Sequence, residues 1–255
     1  MMRSRSTSSR RDFDRQYAEV MRDLWHHPKN DQRPAVLRWI KPFRGAFHHI
    51  LDAGAGDAYY LGHLAPKSYI FVEPNRTLRQ VSKARAATLG ISARAFSSVQ
   101  SLLRRPGSLN CDLALVIHAL LYMRSDEIAL LLPKIASKPL VIVHPWLGRS
   151  TTIQFEESIG LGLSREKIAL KRQILGRPTA SRLIDSHLRL PLHTTIASLA
   201  FLAAHSTLDG THDEERLERA HAFVRRRINR WRRRFWYDLP QAQVMEYYNL
   251  PSSVG

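Results

Sequence analysis

The sequence predicts an α/β fold in which a mostly parallel, doubly wound sheet carries helices on both of its faces. Short apolar runs recur between residues 48 and 146 at intervals of roughly twenty to twenty-five residues, separated by helix-like segments. Runs without polar alternation are typical of parallel strands that are buried on both faces. Two glycines directly follow the first run, where a strand-to-helix turn brings backbone close to a ligand.

The first forty-five residues are expected to form a tail and a helical lid. Residues 1–11 lack the apolar segment of a secretory signal. Residues 12–25, which include Tyr17, predict a helix because apolar side chains recur at helical spacing. A second helix is expected over residues 34–40, with Pro34 in its first turn.

The main domain is expected to cover residues 46–255. Its apolar runs predict strands over residues 49–51, 69–72, 92–96, 113–117 and 140–143. Helices are expected between them over residues 59–64, 76–89, 99–103 and 125–135. Strands over residues 188–196 and 243–248 would complete a sheet of seven strands.

Two helical insertions are expected in this domain, over about 147–187 and 198–240. The first contains a basic helix over residues 164–175 that Gly176 closes as a C-terminal cap. The second contains an apolar helix over residues 198–205 and a long helix over residues 213–235. One face of the long helix carries seven arginines, from position 225 (Arg225) to position 234 (Arg234).

The stretch that carries chemistry follows the first strand, where Asp52 precedes Gly54 and Gly56. Glycine permits the tight turn and the close backbone approach that a bound nucleotide requires. Glu73, followed by Pro74, ends the second strand and lies seventeen residues after Gly56. A carboxylate at this place can accept hydrogen bonds from both hydroxyls of a ribose.

The third and fourth strands end in further candidate contacts. The third strand ends at Phe96 and Ser97, where a loop would lie beside an adenine. The fourth strand ends at Ile117 and His118, and Tyr122 follows one helical turn later. Ligands of open α/β sheets bind beyond the carboxyl ends of the strands, which is where all these residues fall.

The chain resembles the class I, S-adenosylmethionine-dependent methyltransferases in three of their motifs. The first two are matched by the set Asp52, Gly54, Gly56 and Glu73, and the fourth is matched by residues 112–118. The resemblance covers roughly residues 17–146. It implies a Rossmann-like methyltransferase fold with S-adenosylmethionine as the cofactor. This chain departs from the family at Ala58, where a third glycine is frequent, and after the third strand, where the usual acid is missing.

The resemblance also implies a role for each candidate residue. Asp52, Gly54, Ala55 and Gly56 would form the loop at the methionine part of the cofactor. Glu73, with Pro74, would hold the ribose, Phe96 and Ser97 would meet the adenine, and Ile117 and His118 would border the transferred methyl group. Tyr17 would belong to a lid over the cofactor.

Methyl transfer from a sulfonium needs proximity, alignment and a route for the proton, so a dedicated base is optional. His118 is the leading candidate for a base because imidazole titrates near neutrality. The alternative is that His118 only caps the strand or packs on the cofactor. Tyr122 is a candidate for orienting the substrate, with an ordinary core tyrosine as the alternative.

Other cofactors and metals are less consistent with the sequence. A nicotinamide dehydrogenase would need a third glycine at the position of Tyr59, and the glycine pair alone could simply shape a turn. The histidines form no metal-binding spacing, so no metal is expected. The sole cysteine, Cys111, and the absence of long apolar runs favour a cytoplasmic protein without a membrane segment.

The net charge of +17 leaves the acceptor open. The expected reaction is methyl transfer to a nitrogen or oxygen of a small molecule, for which the basic charge favours an anion and which would bind between the N-terminal helix and the insertions after the fifth strand. An RNA held by the arginine face from Arg225 to Arg234 is the alternative acceptor. A third reading is a non-catalytic subunit that binds the cofactor and supports a partner.

Overall fold

The structure is a computed structural model that describes residues 31–150, 163–185, 187–191 and 236–251, together with positions 15, 153, 154, 157, 218 and 222. The helices are α1 (Arg33–Ile40), α2 (Leu61–Leu64), α3 (Arg76–Thr88), α4 (Val99–Leu103), α5 (Ser125–Ile135) and α6 (Leu163–Leu175), with a 3₁₀ turn at Lys41–Phe43. The strands are β1 (His49–Ala53), β2 (Ser68–Val72), β3 (Ser92–Phe96), β4 (Leu113–Ile117), β5 (Leu140–Ser150), β6 (Ala180–Ile184), β7 (His187–Pro191) and β8 (Trp236–Tyr248).

One sheet contains these strands in the order β3-β2-β1-β4-β5-β8-β6, and β7 pairs with β8 outside this path. The strands from β1 to β5 are parallel, whereas β8 runs antiparallel to both β5 and β6. The direction in which successive strands are added reverses at β1, because β2 lies on one side of β1 and β4 lies on the other. Open α/β sheets bind ligands in the crevice at such a point. The expected mostly parallel sheet of seven strands is confirmed, although its edge strand β6 was not expected and β7 lies outside the main path.

The two faces of the sheet form two hydrophobic cores because successive side chains of a strand point to opposite sides. In β4, Ala114 and Val116 belong to the core that α4, α5 and α6 cover, whereas Leu115 and Ile117 belong to the other. The second core also contains Val36 from α1. Helix α1 is therefore an integral part of the domain, although residues 1–45 are predicted to be a tail and lid.

The expected helical insertions need correction. Residues 147–187 contain the end of β5 and all of β6 as well as α6, and residues 236–240 belong to β8. The strand expected over residues 188–196 is β7, His187–Pro191. The cap at Gly176 is confirmed, because this residue has a φ of +70° and its N–H donates to the carbonyl oxygen of Arg172 at 2.9 Å.

Several expectations fall outside the described residues. These are the helices over residues 12–25, 198–205 and 213–235, apart from single helical positions at Arg15, Glu218 and Ala222. Tyr17 and the arginine face from Arg225 to Arg234 lie outside them as well. Among the helices that are described, none combines the length and the apolar character that crossing a membrane requires.

Candidate active site

Backbone hydrogen bonds hold the carboxyl ends of β1, β2 and β3 together. The N–H of Gly54 donates to the carbonyl oxygen of Val72 at 2.8 Å, which ties the loop after β1 to the end of β2. The N–H of Glu73 donates to the carbonyl oxygen of Phe96 at 3.0 Å, which ties the end of β2 to the end of β3. The first three candidate contacts from the sequence therefore lie side by side along one edge of the sheet.

The glycine loop after β1 requires its glycines for two different reasons. Gly54 has a φ of +84°, and a Cβ built there would lie 2.2 Å from the Cβ of Ala119, so no side chain fits. Gly56 has a φ of +57° but faces open space, which leaves its backbone accessible to a ligand. Ala58 is buried with a φ of +53°, a left-handed conformation that glycine adopts more readily.

Glu73 connects the glycine loop to the second strand. Its side chain is buried, and its Oε2 accepts the N–H of Gly56 while its Oε1 accepts the N–H of Asn75, both at 2.8 Å. Burial raises the pKa of this carboxyl to about 7, although the two N–H bonds and nearby Arg79 lower it. Each oxygen keeps a second lone-pair site, so the carboxylate can still accept two hydroxyl groups.

Asp52 lies in β1 below the glycine loop. Its side chain is buried and accepts a hydrogen bond from the Tyr69 hydroxyl at 2.7 Å. Burial raises the pKa of Asp52 to about 7, the Tyr69 hydrogen bond lowers it, and the charge of Asp57 raises it further. Asp52 therefore contributes a buried acid to the floor of the loop.

Arg33 attaches α1 to the glycine loop, and the sequence analysis missed it. Its Nε lies 2.7 Å from Asp31, its Nη1 lies 3.0 Å from Asp57, and its guanidinium lies 4.2 Å from the centre of the Tyr59 ring. No motif marks Arg33, and the contact with Asp57 spans twenty-four residues. A sequence feature that could have indicated a basic partner is Asp57, an acid that directly follows Gly56 in a strongly basic chain.

Four acids, Asp31, Asp52, Asp57 and Glu73, lie at this edge of the sheet although the whole chain carries a net charge of +17. Arg33 offsets the charges of Asp31 and Asp57, whereas the buried carboxyls of Asp52 and Glu73 disfavour an anionic ligand. Helix α2 after the loop has only four residues, so it offers little of the helix dipole that binds a pyrophosphate. These features disfavour an anionic dinucleotide at this edge.

Three buried polar atoms near this edge have no hydrogen-bond partner within the described part of the chain: Nε2 of Gln32, the hydroxyl of Tyr60 and Oε1 of Gln243. Gln243 uses its Nε2 to donate to Oε1 of Gln32, so the pair keeps one donor and one acceptor uncommitted. A buried polar group without a partner costs about 1–3 kcal/mol. S-adenosylmethionine presents amino, carboxylate and hydroxyl groups, so it could satisfy such atoms, and the residues at this edge fit it.

The loop between β4 and α5 faces the glycine loop. His118 has a φ of +57° and a half-buried side chain, and its N–H donates to the carbonyl oxygen of Val143 at 2.9 Å. The next residue, Ala119, is the one that leaves no space for a side chain at Gly54. Tyr122 is half-buried, and its N–H donates to the carbonyl oxygen of Ala119 at 2.9 Å. His118 and Tyr122 therefore belong to the loop opposite the glycines.

The remaining candidates lie at the same edge with differing exposure. Ile117 is buried in the second core, and Phe96 is half-buried against the first. Ser97 and Pro74 are exposed, and the carbonyl oxygen of Pro74 accepts a hydrogen bond from Arg79 at 2.9 Å. Among the described residues, no group of three or more histidine, cysteine or acidic side chains is arranged to hold a metal ion.

No protein-family model and no curated protein sequence matches the chain. Solved structures do match its shape. A candidate methyltransferase from Bacillus halodurans superposes with a TM-score of 0.52 at 9% identity, covering 84% of this chain and 96% of that one. The YcgJ protein of Bacillus subtilis gives a TM-score of 0.51 at 12% identity, covering 86% and 100%.

The cyclase SpnF gives a TM-score of 0.52 at 11% identity, covering 94% of this chain and 96% of its own. Because a cyclase is among these proteins, the shape is compatible with more than one reaction. The chain therefore has the Rossmann-like fold of the class I, S-adenosylmethionine-dependent methyltransferases.

Proposed function

We propose that this protein is an S-adenosylmethionine-dependent methyltransferase that modifies a nitrogen or oxygen of a small-molecule acceptor. The observation that carries the proposal is the hydrogen bond from the Gly56 N–H to the Glu73 carboxylate, which joins the two nucleotide-binding loops in an acidic environment. An acidic environment suits a cationic cofactor, and the remaining lone pairs of Glu73 suit a ribose.

The cofactor-binding roles are assigned from position. Glu73 accepts the ribose hydroxyls, and Gly54, Ala55 and Gly56 leave backbone space for the methionine part. Phe96 and Ser97 border the adenine at the end of β3. Tyr60 and the Gln32–Gln243 pair supply uncommitted polar atoms to the same ligand or to its acceptor.

The cofactor supplies a methyl group on a sulfonium, which is a good leaving group. The chain then has to hold the acceptor in line and take up its proton. His118 supports this role, because β4 runs parallel to β1 and its carboxyl end lies beside the glycine loop. Tyr122 lies in the same loop and can orient the acceptor through its hydroxyl.

Equilibrium dialysis with radiolabelled S-adenosylmethionine tests the proposal. Glu73→Ala should weaken binding by at least tenfold because charge-assisted hydrogen bonds to the ribose are lost. Glu166→Ala is the matched control, since Glu166 is an exposed acid in the first turn of α6. A folded Glu73→Ala protein that binds the cofactor as tightly as the control would refute the assignment.

A further inference from the structure

A cavity of about 600 Å³ lies beside β5, β8 and α6. Its described walls include Trp146 from β5, Arg172 from α6, Arg177 from the segment that leads into β6, and Ser181 from β6 itself. His144 and Glu246 lie at its floor, on neighbouring strands of the sheet. None of these residues takes part in the proposed binding of the cofactor.

The floor of the cavity contains a buried polar cluster. Lys171 is fully buried, and its Nζ donates to Oε2 of Glu246 and lies 3.1 Å from Nε2 of His144. The hydroxyl of Tyr248 donates to the same Oε2 of Glu246 at 2.8 Å. Burying a lysine with a glutamate seldom adds net stability compared with apolar side chains. Buried charges that adjoin a cavity are instead typical of functional sites.

The charged groups of this cluster form an ion pair. Nδ1 of His144 lies 2.9 Å from the carbonyl oxygen of Pro145. Nε2 of His144 lies 3.1 Å from Nζ of Lys171 and 3.5 Å from Oε1 of Glu246. The charges of Lys171 and Glu246 offset each other at the floor of the cavity.

The rim of the cavity is positive and aromatic. Arg172 and Arg177 are exposed there, so the cavity as a whole carries positive charge above a neutral floor. The indole of Trp146 is 40% exposed and lies across Gly148, where an added Cβ would come within 3.0 Å of the ring. An open indole beside two guanidinium groups favours a flat ligand that bears an anionic group.

The cavity adjoins the point where methyl transfer is proposed. Ile117 in β4 pairs with Val143 in β5, so the next residues along, His118 and His144, lie on adjacent strands at the same level. His144 is at the floor of the cavity, and His118 is at the strand tip that faces the glycine loop. His144 at the floor of the cavity therefore lies one strand spacing from His118.

We propose that this cavity binds the methyl acceptor and that the acceptor is a planar molecule with a carboxylate or a similar anion. Trp146 stacks on its ring, Arg172 and Arg177 bind its anionic group, and the edge nearest His118 carries the nitrogen or oxygen to be methylated. The acceptor role rests on the proposed function, whereas binding of a planar anion does not.

Fluorescence titration with 1-pyrenecarboxylate, an anion with a planar ring system, tests the cavity. The wild-type protein should bind the probe at one site and transfer excitation from Trp146 to it. Arg172→Gln and Trp146→Ala should each weaken binding by at least tenfold. Arg104→Gln makes the same charge change after α4, near the opposite edge of the sheet, and should leave binding unchanged. Equal affinity in Arg172→Gln, Arg104→Gln and wild-type protein would overturn the site.

The acceptor role is tested by repeating the titration in the presence of either of two cofactor analogues. Sinefungin carries an amine where S-adenosylmethionine carries its methyl sulfonium, whereas S-adenosylhomocysteine has a neutral sulfur. An anion beside the reacting centre should bind several-fold more tightly with sinefungin, by Coulomb attraction. Equal affinity with both analogues would overturn the acceptor role. If neither analogue binds, the proposed function and the acceptor role both fail, and the response to Arg172→Gln still decides the anion site.

Discussion

At the scale of single residues, Gly54 determines how closely the loop after β1 approaches the loop after β4. Gly54→Ala should abolish tight S-adenosylhomocysteine binding, because the new methyl would lie 2.2 Å from the Cβ of Ala119 in a backbone conformation with positive φ. Gly90→Ala is the matched control, since Gly90 has a similar left-handed φ of +66° but faces open space after α3. It should leave binding unchanged and lower the free energy of unfolding by about 1–2 kcal/mol. Calorimetric titration measures both variants.

A second change separates steric overlap from backbone strain at the same position. Adding Ala119→Gly to Gly54→Ala removes the overlapping Cβ but leaves the φ of +84°. Binding should therefore recover in part. If the double variant binds no better than Gly54→Ala, steric overlap with Ala119 is not the reason that position 54 requires glycine.

The buried carboxyl of Asp52 should make stability depend on pH. Burial raises its pKa to about 7 from an ordinary value of 3.8. Between these values the folded protein keeps a proton that the unfolded chain releases, so the free energy of unfolding falls as pH rises. Asp52→Asn removes this titration while an amide oxygen still accepts from Tyr69.

The free energy of unfolding of Asp52→Asn relative to wild type should therefore rise with pH by up to about 1.4 kcal/mol per unit, from about pH 5 to about pH 7. Urea unfolding at several pH values measures this slope. A difference between the two proteins that stays constant across the range would show that Asp52 does not titrate there.

At this scale the sequence predicted the residues that belong to a motif and missed those that meet through the fold. Glu73 was predicted because its spacing from Gly56 is regular, and the hydrogen bond between them agrees with that prediction. Gln32 and Gln243 contact each other across 211 residues, and Lys171 contacts Glu246 across 75. Neither separation has a periodicity that a sequence pattern could reveal.

At the scale of elements, burial decided which strands could be predicted. Every residue of β4 is buried, which produces the continuous apolar run that marks it in the sequence. In β6 only Ile184 is buried, and Ser181, Arg182 and Leu183 are exposed, so its sequence has neither an apolar run nor alternation. Such an edge strand depends on its pairing with β8, which no local pattern encodes.

The contact between α6 and the sheet depends on the pairing of Lys171 with Glu246. Lys171→Met should lower the free energy of unfolding by about 3–5 kcal/mol because it leaves a buried carboxylate without its cation. The double variant Lys171→Met, Glu246→Gln should recover most of this loss. Denaturant unfolding measures both proteins, and a double variant as unstable as the single one would show that the charges are not the cause.

At the scale of the whole molecule, charge is distributed unevenly. The chain has 39 lysines and arginines against 22 acids, yet acids cluster around the proposed cofactor site. The excess of positive charge predicts non-specific binding to RNA, while the acidic edge predicts binding to a cationic nucleoside. These two interactions should respond differently to salt.

Affinity for an unstructured RNA should fall by about a hundredfold or more between about 50 mM and about 200 mM salt, because phosphate contacts release counterions. Affinity for S-adenosylhomocysteine, which has no net charge, should change by less than about twofold over the same range. Filter binding and calorimetry measure the two. RNA binding that persists at the higher salt would favour a structured RNA as the acceptor.

The carboxyl edge of this sheet is the proposed binding site of S-adenosylmethionine. Calorimetric titration of S-adenosylhomocysteine into the purified protein, with NADH in parallel, is the decisive test of this proposal. We expect micromolar binding of S-adenosylhomocysteine and no binding of NADH, because the buried carboxyls and the four-residue helix α2 disfavour a pyrophosphate. Binding of NADH alone, or of neither ligand, would contradict it.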